Sequence, residues 1–314
     1  MKKVFINEMK TGDSFDEFFL VIEMQLKTTR TEKLYLDMEL ADRTGVIRAK
    51  VWDATEQMAR TYKTGTYLRA AGKVQEYRGA KQLVLDRCIP VGESDVDVSD
   101  FRKSTTKDVD GLMKEIADHV AGIKDPHLKK LLEKVFGDDA LVEKFKAAPA
   151  ARNYHHAFRG GLLEHTTNVA RLAALLLTER PELRADLLMA GCLLHDIGKI
   201  DEMNAEAAIN YTDAGLLLGH LVQGVFIIEE KLRGVKNFPE DLKTNLRHII
   251  LSHHGEYEWG SPKLPMIPEA LAIHYLDNLD AKLNAVIGAI KDDPDEESNW
   301  TDYNKMFERR FFKK

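Results

Sequence analysis

The hydrophobic period of this chain changes once, and that change constrains the fold more than any other feature. From Phe15 to about Ile89 apolar and polar residues alternate, whereas beyond about residue 107 apolar residues recur at helical spacing. In "LYLDMEL", Leu34, Leu36, Met38 and Leu40 fall on one face and Tyr35, Asp37 and Glu39 on the other, as in a half-buried strand. "DRTGVIRAKVW" has turn residues from Asp42 to Gly45, then Ile47, Ala49 and Val51 alternating with Arg48, Lys50 and Trp52, so a hairpin is expected. With "FFLVIEMQL" before it and "TYLRAAGKVQEY" and "KQLVLDRCIPV" after it, five strands fit into roughly 75 residues, a count that suits a small closed barrel of the OB type. "ATEQMARTYKTG" supplies a short helical connection between them.

The polar, turn-rich stretch "GESDVDVSDFRKSTTKD" separates the two regimes. The expected organisation is an all-β OB-fold barrel over residues 1–91, a linker over 92–107, and an all-α bundle over 108–314. Seven helical patterns fill the second part, several with proline near the start, where its fixed φ suits a first turn. A length of 314 residues accommodates two such cores. The formal charge of −6 is neutral as to partners, and the first 100 residues carry 16 Lys and Arg against 17 Asp and Glu. Any basic groove there is a local patch. Cys88 and Cys192 lack the spacing of a disulfide framework or a thiolate metal site. No run reaches the ~20 apolar residues of a membrane span and none follows the opening lysines as in a signal peptide, so a cytoplasmic location without membrane contact is expected.

All eleven histidines fall at or after His119. His165 shares a helical stripe with Val169, Leu172 and Leu176; His195 shares one with Leu188 and Gly191; Asp277 shares one with Ala270, Ile273 and Ala281. Several helices therefore turn ionisable groups inward, which is costly unless a cation or hydrogen-bonded partner compensates them. His165, His195, Asp196, His220, His253, His254 and Asp277 are the candidate ligands. Imidazole and carboxylate together suit Mn, Fe, Co, Ni or Zn. Inward His and Asp on a bundle are an economical way to build such a centre.

"H…HD…D" drawn from separate helices, with "HDIGK" and "LSHHG", resembles the HD-domain metal-dependent phosphohydrolases. That resemblance implies a first metal on His165, His195, Asp196 and Asp277, and a second on His220, His253 and His254 with Asp196 bridging. "KVWDATEQ", "YRGAKQL", "NYHHAFRGGLLEHT", "LLLGH", "LSHHGEYEWGSPK" and "IHYLDNLDAKLN", in this domain order, are similar to the YhaM-type bacterial 3′-to-5′ exoribonucleases across nearly the whole chain. The C-terminal tail departs from that pattern. The resemblance implies removal of nucleotides from the 3′ end of single-stranded RNA, and of single-stranded DNA in some members, with two divalent ions, usually Mn²⁺. A homo-oligomer is compatible with it.

Two metals 3.5–4 Å apart serve an in-line displacement at a phosphodiester, so Asp196 is the expected catalytic centre. Lys199 is placed to reach a phosphoryl oxygen, the alternative being a solvated lysine at a helix end. His155 and His156 are candidates for contact with the scissile phosphate, His156 also for protonating the leaving oxygen. Gly160 and Gly161 either admit a nucleotide or simply start a helix. Tyr35, Arg48, Lys50 and Trp52 combine cations with π-faces on neighbouring strands, as single-strand binding requires, and Trp259 is a candidate to stack on the terminal base. Two other functions are compatible with the motifs: hydrolysis of a small nucleotide, and a nucleic-acid-binding replication accessory protein with a vestigial site.

Overall fold

A computed structural model describes the chain except residues 1, 30, 78, 102–103, 152–155, 205–208, 294 and 296. Its contacts divide into two units, one running to Ser104 and the other starting at Thr105.

The first unit is a closed five-stranded barrel. β1 (Ser14–Thr28), β2 (Leu34–Asp42) and β3 (Gly45–Val51) form an antiparallel meander, α1 (Glu56–Thr61) follows, and β4 (Tyr67–Tyr77) and β5 (Ala80–Val91) form a second hairpin. Closure comes from β1, whose first half pairs with β4 and whose second half pairs with β2, together with a parallel pairing of β3 with β5 from Arg48↔Gln82 to Lys50↔Val84. A register shift between Val21 and Glu23 lets β1 turn from one neighbour to the other, the usual work of a bulge at a barrel corner. The alternation read from the sequence is realised: Leu36, Met38, Leu40, Ile47, Ala49 and Val51 point into a core with Phe19, Leu68 and Leu83, while Arg48 and Trp52 stay exposed. The polar stretch expected as a linker over 92–107 carries two short 3-10 turns, and its Phe101 is buried against Leu20 and Tyr67. Those contacts carry the barrel unit on to Ser104.

The second unit is helical: α2 (Val109–Gly122), α3 (Pro126–Phe136), α4 (Asp139–Ala147), α5 (Gly161–Glu179), α6 (Ala185–Leu194), α7 (Lys199–Glu202), α8 (Asp213–Leu232), α9 (Glu240–Ser252) and α10 (Pro268–Lys291). α4 escapes the periodicity because only Leu141 and Phe145 of its nine residues are buried. Small pairings add to the all-α expectation: an antiparallel pair of Met203–Asn204 with Asn210–Tyr211, and bridges of Trp300 with Phe312 and of Asn304 with Arg309 in the tail. α5, α6, α9 and α10 share a core built on Leu162, Leu163, Leu188, Leu194, Leu246, Ile249 and Ile273. Among the described residues no helix is long and apolar enough to cross a membrane.

Phe19 is fully enclosed by the barrel core. Phe19→Ala is expected to cost the barrel about 3–5 kcal/mol, read by denaturant unfolding, and a loss below ~1 kcal/mol would show that the barrel refills the space.

Candidate metal centre

Five helices or their ends deliver the seven expected ligands. His165 lies in the second turn of α5 and Asp277 in the third turn of α10. α6 stops at Leu194, with His195 as its C-terminal cap, and Asp196 lies in the turn before α7. A Cβ on Gly198 in that turn would stand 2.0 Å from the His220 carbonyl oxygen, so glycine lets α8 rest directly on the turn. α8 is broken at Gly219, whose φ of 70° and ψ of 162° re-aim the chain immediately before His220. His253 caps α9, and His254 follows it.

Each of the five imidazoles donates its Nδ1–H away from the centre. His195 and His253 donate to the carbonyls of Cys192 and Ile250, each at 2.8 Å and three residues back in the last turn of their own helix. His254 donates to the Trp259 carbonyl at 2.8 Å, His165 to Asp280 Oδ2 at 2.7 Å and His220 to Glu202 Oε1 at 2.9 Å. Every Nε2 is thereby turned inward, the arrangement that prepares imidazole for metal ligation. His165 Nε2 stands 3.3 Å from His195 Nε2, and His220 Nε2 stands 3.1 Å from His254 Nε2.

Asp196 joins the two groups. Its Oδ2 faces the Nε2 atoms of His165 and His195 at 3.5 and 3.4 Å, and its Oδ1 faces those of His220 and His253 at 3.5 and 3.3 Å. Asp277 Oδ1 lies 3.1 Å from His165 Nε2. Ligand atoms of His165, His195, Asp196 and Asp277 lie within 4.8 Å of one another, as do those of His220, His253 and His254. Oδ1 of Asp196 is buried without a hydrogen-bond partner, a costly state that a cation between it and the imidazoles would relieve. The donor set, imidazole with carboxylate, fits a first-row divalent ion.

The electrostatics favour positive charge at this spot. Burial alone would push the Asp196 carboxyl up, yet Lys199 and His195 beside it hold it well below the usual range. Burial likewise opposes ionisation of Asp277, but its bond to His165 holds it low. At His165 burial would lower the imidazole, whereas the bonds to Asp277 and Asp280 raise it to about 9. At His254 burial, reinforced by His253 and His220, lowers the imidazole to about 3, so its Nε2 keeps a lone pair towards the centre.

The structure thus brings together all seven predicted ligands. Lys199 is not a solvated helix-end residue; it opens α7, is buried, and its Nζ lies 2.6 Å from Asp196 Oδ2, where Asp196 and Asp277 keep it charged against burial. His156 is buried behind the ligands with Nε2 3.0 Å from Asp280 Oδ2, so it presents no face to a leaving group. Gly160 and Gly161 start α5, and a Cβ on Gly161 would meet the His156 carbonyl oxygen at 1.9 Å, leaving no room there for a nucleotide. Trp259 is about half exposed, with Lys282 Nζ 5.4 Å from its ring. His155 lies outside the described residues.

On the barrel, Lys50 Nζ lies 5.2, 5.3 and 5.6 Å from the rings of Tyr35, Trp52 and Tyr77. Arg48 stands apart from that cluster, in a cleft with Glu23, Lys27, Asp37 and Glu39. Sequence reasoning passed over Tyr77, Glu202 and Asp280. Only Asp280 left a signal, since it follows Asp277 by three residues and so shares its helix face.

Residues 162–282 match the family model of the HD domain, and residues 21–91 match that of an OB-fold nucleic acid binding domain. The chain is 35% identical over 287 residues to the 3′-5′ exoribonuclease YhaM of Bacillus velezensis, covering 90% of this chain and 88% of that protein. It is also 35% identical over 295 residues to the protein of the same name from Bacillus subtilis, covering 92% and 91%, and 34% identical over 283 residues to that of a Geobacillus species, covering 90% and 86%.

A divalent ion that binds only the folded site stabilises it by mass action, about 4 kcal/mol at a concentration a thousand times Kd. Mn²⁺ is therefore expected to raise the melting temperature of the helical unit, and Asp196→Ala to abolish most of that rise. An equal shift in the variant would remove Asp196 from the site.

Proposed function

The chain belongs to the YhaM family of 3′-5′ exoribonucleases, and from that premise we propose that it is a two-metal phosphodiesterase that shortens single-stranded RNA from its 3′ end and releases nucleoside 5′-monophosphates. Single-stranded DNA is a second substrate on this reading, because stacking and phosphate contacts do not by themselves select the sugar. The observation that carries the proposal is the position of Asp196, with one oxygen towards each group of imidazoles. Mn²⁺ is the expected ion, with Fe, Co, Ni and Zn also compatible with the donors.

Two divalent ions held on these groups supply the charge that stabilises both attacking and leaving oxygens of an in-line displacement. His165, His195, Asp196 and Asp277 would hold one, and His220, His253 and His254 with Asp196 the other. Lys199 places a permanent positive charge beside Asp196, where charge grows on the phosphoryl oxygens. Trp259 offers an exposed π-face to the terminal base, from a loop that its own carbonyl ties to His254. On the barrel, the Tyr35, Lys50 and Trp52 cluster gains Tyr77 as a third ring, and these side chains grip bases and phosphates of the strand. Arg48 contributes charge from the neighbouring cleft, and His155 is a further strand contact on the sequence reading.

Incubation with Mn²⁺ and a 5′-labelled single strand tests the activity: a ladder shortening from the 3′ end with 5′-monophosphate products is expected, and an internal cut or 3′-monophosphates would overturn it. Asp196→Ala is expected to lose all but a small fraction of turnover while still binding the strand. Replacing Lys50 and Trp52 together is expected to lower kcat/KM on a strand of ~20 nucleotides about tenfold or more, because stacking is worth about 1–3 kcal/mol per base. A dinucleotide offers the barrel no tract to grip, so its hydrolysis should fall far less. An equal fall on both substrates would show that the barrel does not guide the strand. Added salt should reproduce the selective loss through counterion competition.

A further inference from the structure

Each group of ligands contains one imidazole backed by a carboxylate, and the rest are backed by main-chain carbonyls. In the first group His195 donates to the Cys192 carbonyl, whereas His165 donates to Asp280. In the second, His253 and His254 donate to the carbonyls of Ile250 and Trp259, whereas His220 donates to Glu202. We propose that Asp280 and Glu202 are a matched pair of positioning residues, one for each ion, that fix His165 and His220 and make each the strongest imidazole donor of its group. The inference rests on the two-ion reading above.

Both carboxylates are built into the fold and not merely adjacent to the rings. Asp280 Oδ2 accepts from His165 Nδ1 and from His156 Nε2, and its Oδ1 accepts from Asn168 Nδ2 at 3.0 Å. His156 is in turn held by its backbone N–H, which donates to Asn284 Oδ1. Asp277 and Asp280, three residues apart on α10, therefore grip the His165 ring at both nitrogens, at 3.1 Å on Nε2 and 2.7 Å on Nδ1. Glu202 Oε1 accepts from His220 Nδ1 and also from the His220 backbone N–H at 3.0 Å, so one oxygen fixes both the ring and the chain just past the Gly219 break.

Orientation alone does not require charge. A neutral amide oxygen accepts the same Nδ1–H, and a carboxylate with a side chain only 10–11% exposed carries a desolvation cost that an amide avoids. Negative charge behind the ring is useful when the opposite nitrogen meets a cation, because it draws the shared proton and enriches the Nε2 lone pair.

The test is Mn²⁺ binding by equilibrium dialysis with metal analysis, on the wild type, Asp280→Asn, Glu202→Gln and the double variant, with melting temperatures in chelator measured in parallel. The wild type is expected to bind two ions. Each single variant should weaken one of them about 10–100-fold and the double variant both, with the chelator melting temperature of Glu202→Gln close to that of the wild type and that of Asp280→Asn lowered by no more than the lost bond to Asn168. In a His254→Ala background, which disables the second group, Asp280→Asn should weaken the remaining ion and Glu202→Gln should not. Unchanged isotherms with a lowered melting temperature would reduce both residues to packing and overturn the proposal. So would weakening of the same ion by both variants, or a third ion per chain, which would put a cation between His156, His165 and Asp280. A wild type that binds a single ion would instead refute the two-ion reading.

Discussion

The convergence of four imidazole Nε2 atoms, those of His165, His195, His220 and His253, on the two oxygens of Asp196 is the constraint on which the helical unit depends. Imidazole nitrogens are crowded to 3.1–3.3 Å of one another, and a buried carboxylate oxygen without a partner costs about 1–3 kcal/mol or more. Such a set persists only where the surrounding packing over-determines it. Here the support is the core shared by α5, α6, α9 and α10, whose packed apolar side chains hold the ligand-bearing ends in place. The favourable energy of that core offsets the unfavourable energy of the centre, and a cation held there would relieve what remains.

The barrel solves a different problem with simpler means. Its inward residues are apolar without exception along β2 from Leu36 to Leu40 and along β3 from Ile47 to Val51, so the opposite face is free to carry function. Tyr35, Lys50, Trp52 and Tyr77 occupy that face from three different strands or their ends. The near balance of charge in the first 100 residues is consistent with this, since π-faces and one shared cation do not require a basic domain.

What was legible in the sequence was whatever depends on period and residue type. The strand alternation and the helical stripes that carry His165, His195 and Asp277 follow from local pattern, because a side chain's face is set by its place in its own element, whereas the full set of seven ligands rests on the resemblance carried by "HDIGK" and "LSHHG". What was not legible depends on which elements meet. Tyr77 joins the aromatic cluster only through the closure of the barrel, Glu202 reaches His220 across 18 residues, and Asp280 reaches His165 across 115. The same holds for His156, expected to meet the scissile phosphate or the leaving oxygen: its place is set by Asp280 and Asn284 of α10, which no local pattern links to it. The unit boundary falls at Ser104 because Phe101, inside a polar stretch, finds an apolar site between Leu20 and Tyr67.

The position of each histidine in its helix also explains what stands behind it. His195 and His253 are C-terminal caps, and the carbonyls three residues back belong to a last turn that has no helical N–H left to accept. An imidazole placed there finds its acceptor without any further residue. His165 lies within α5 and His220 at the start of the unbroken part of α8, where nearby carbonyls are committed to the helix ladder. Those two rings need an acceptor from elsewhere in the fold. The adjacent His and Asp of "GCLLHDIGK" are therefore not two positions of one continuing helix: α6 ends at this point, its free carbonyl fixes the first ring, and the turn that follows frees Asp196 to face both groups at once.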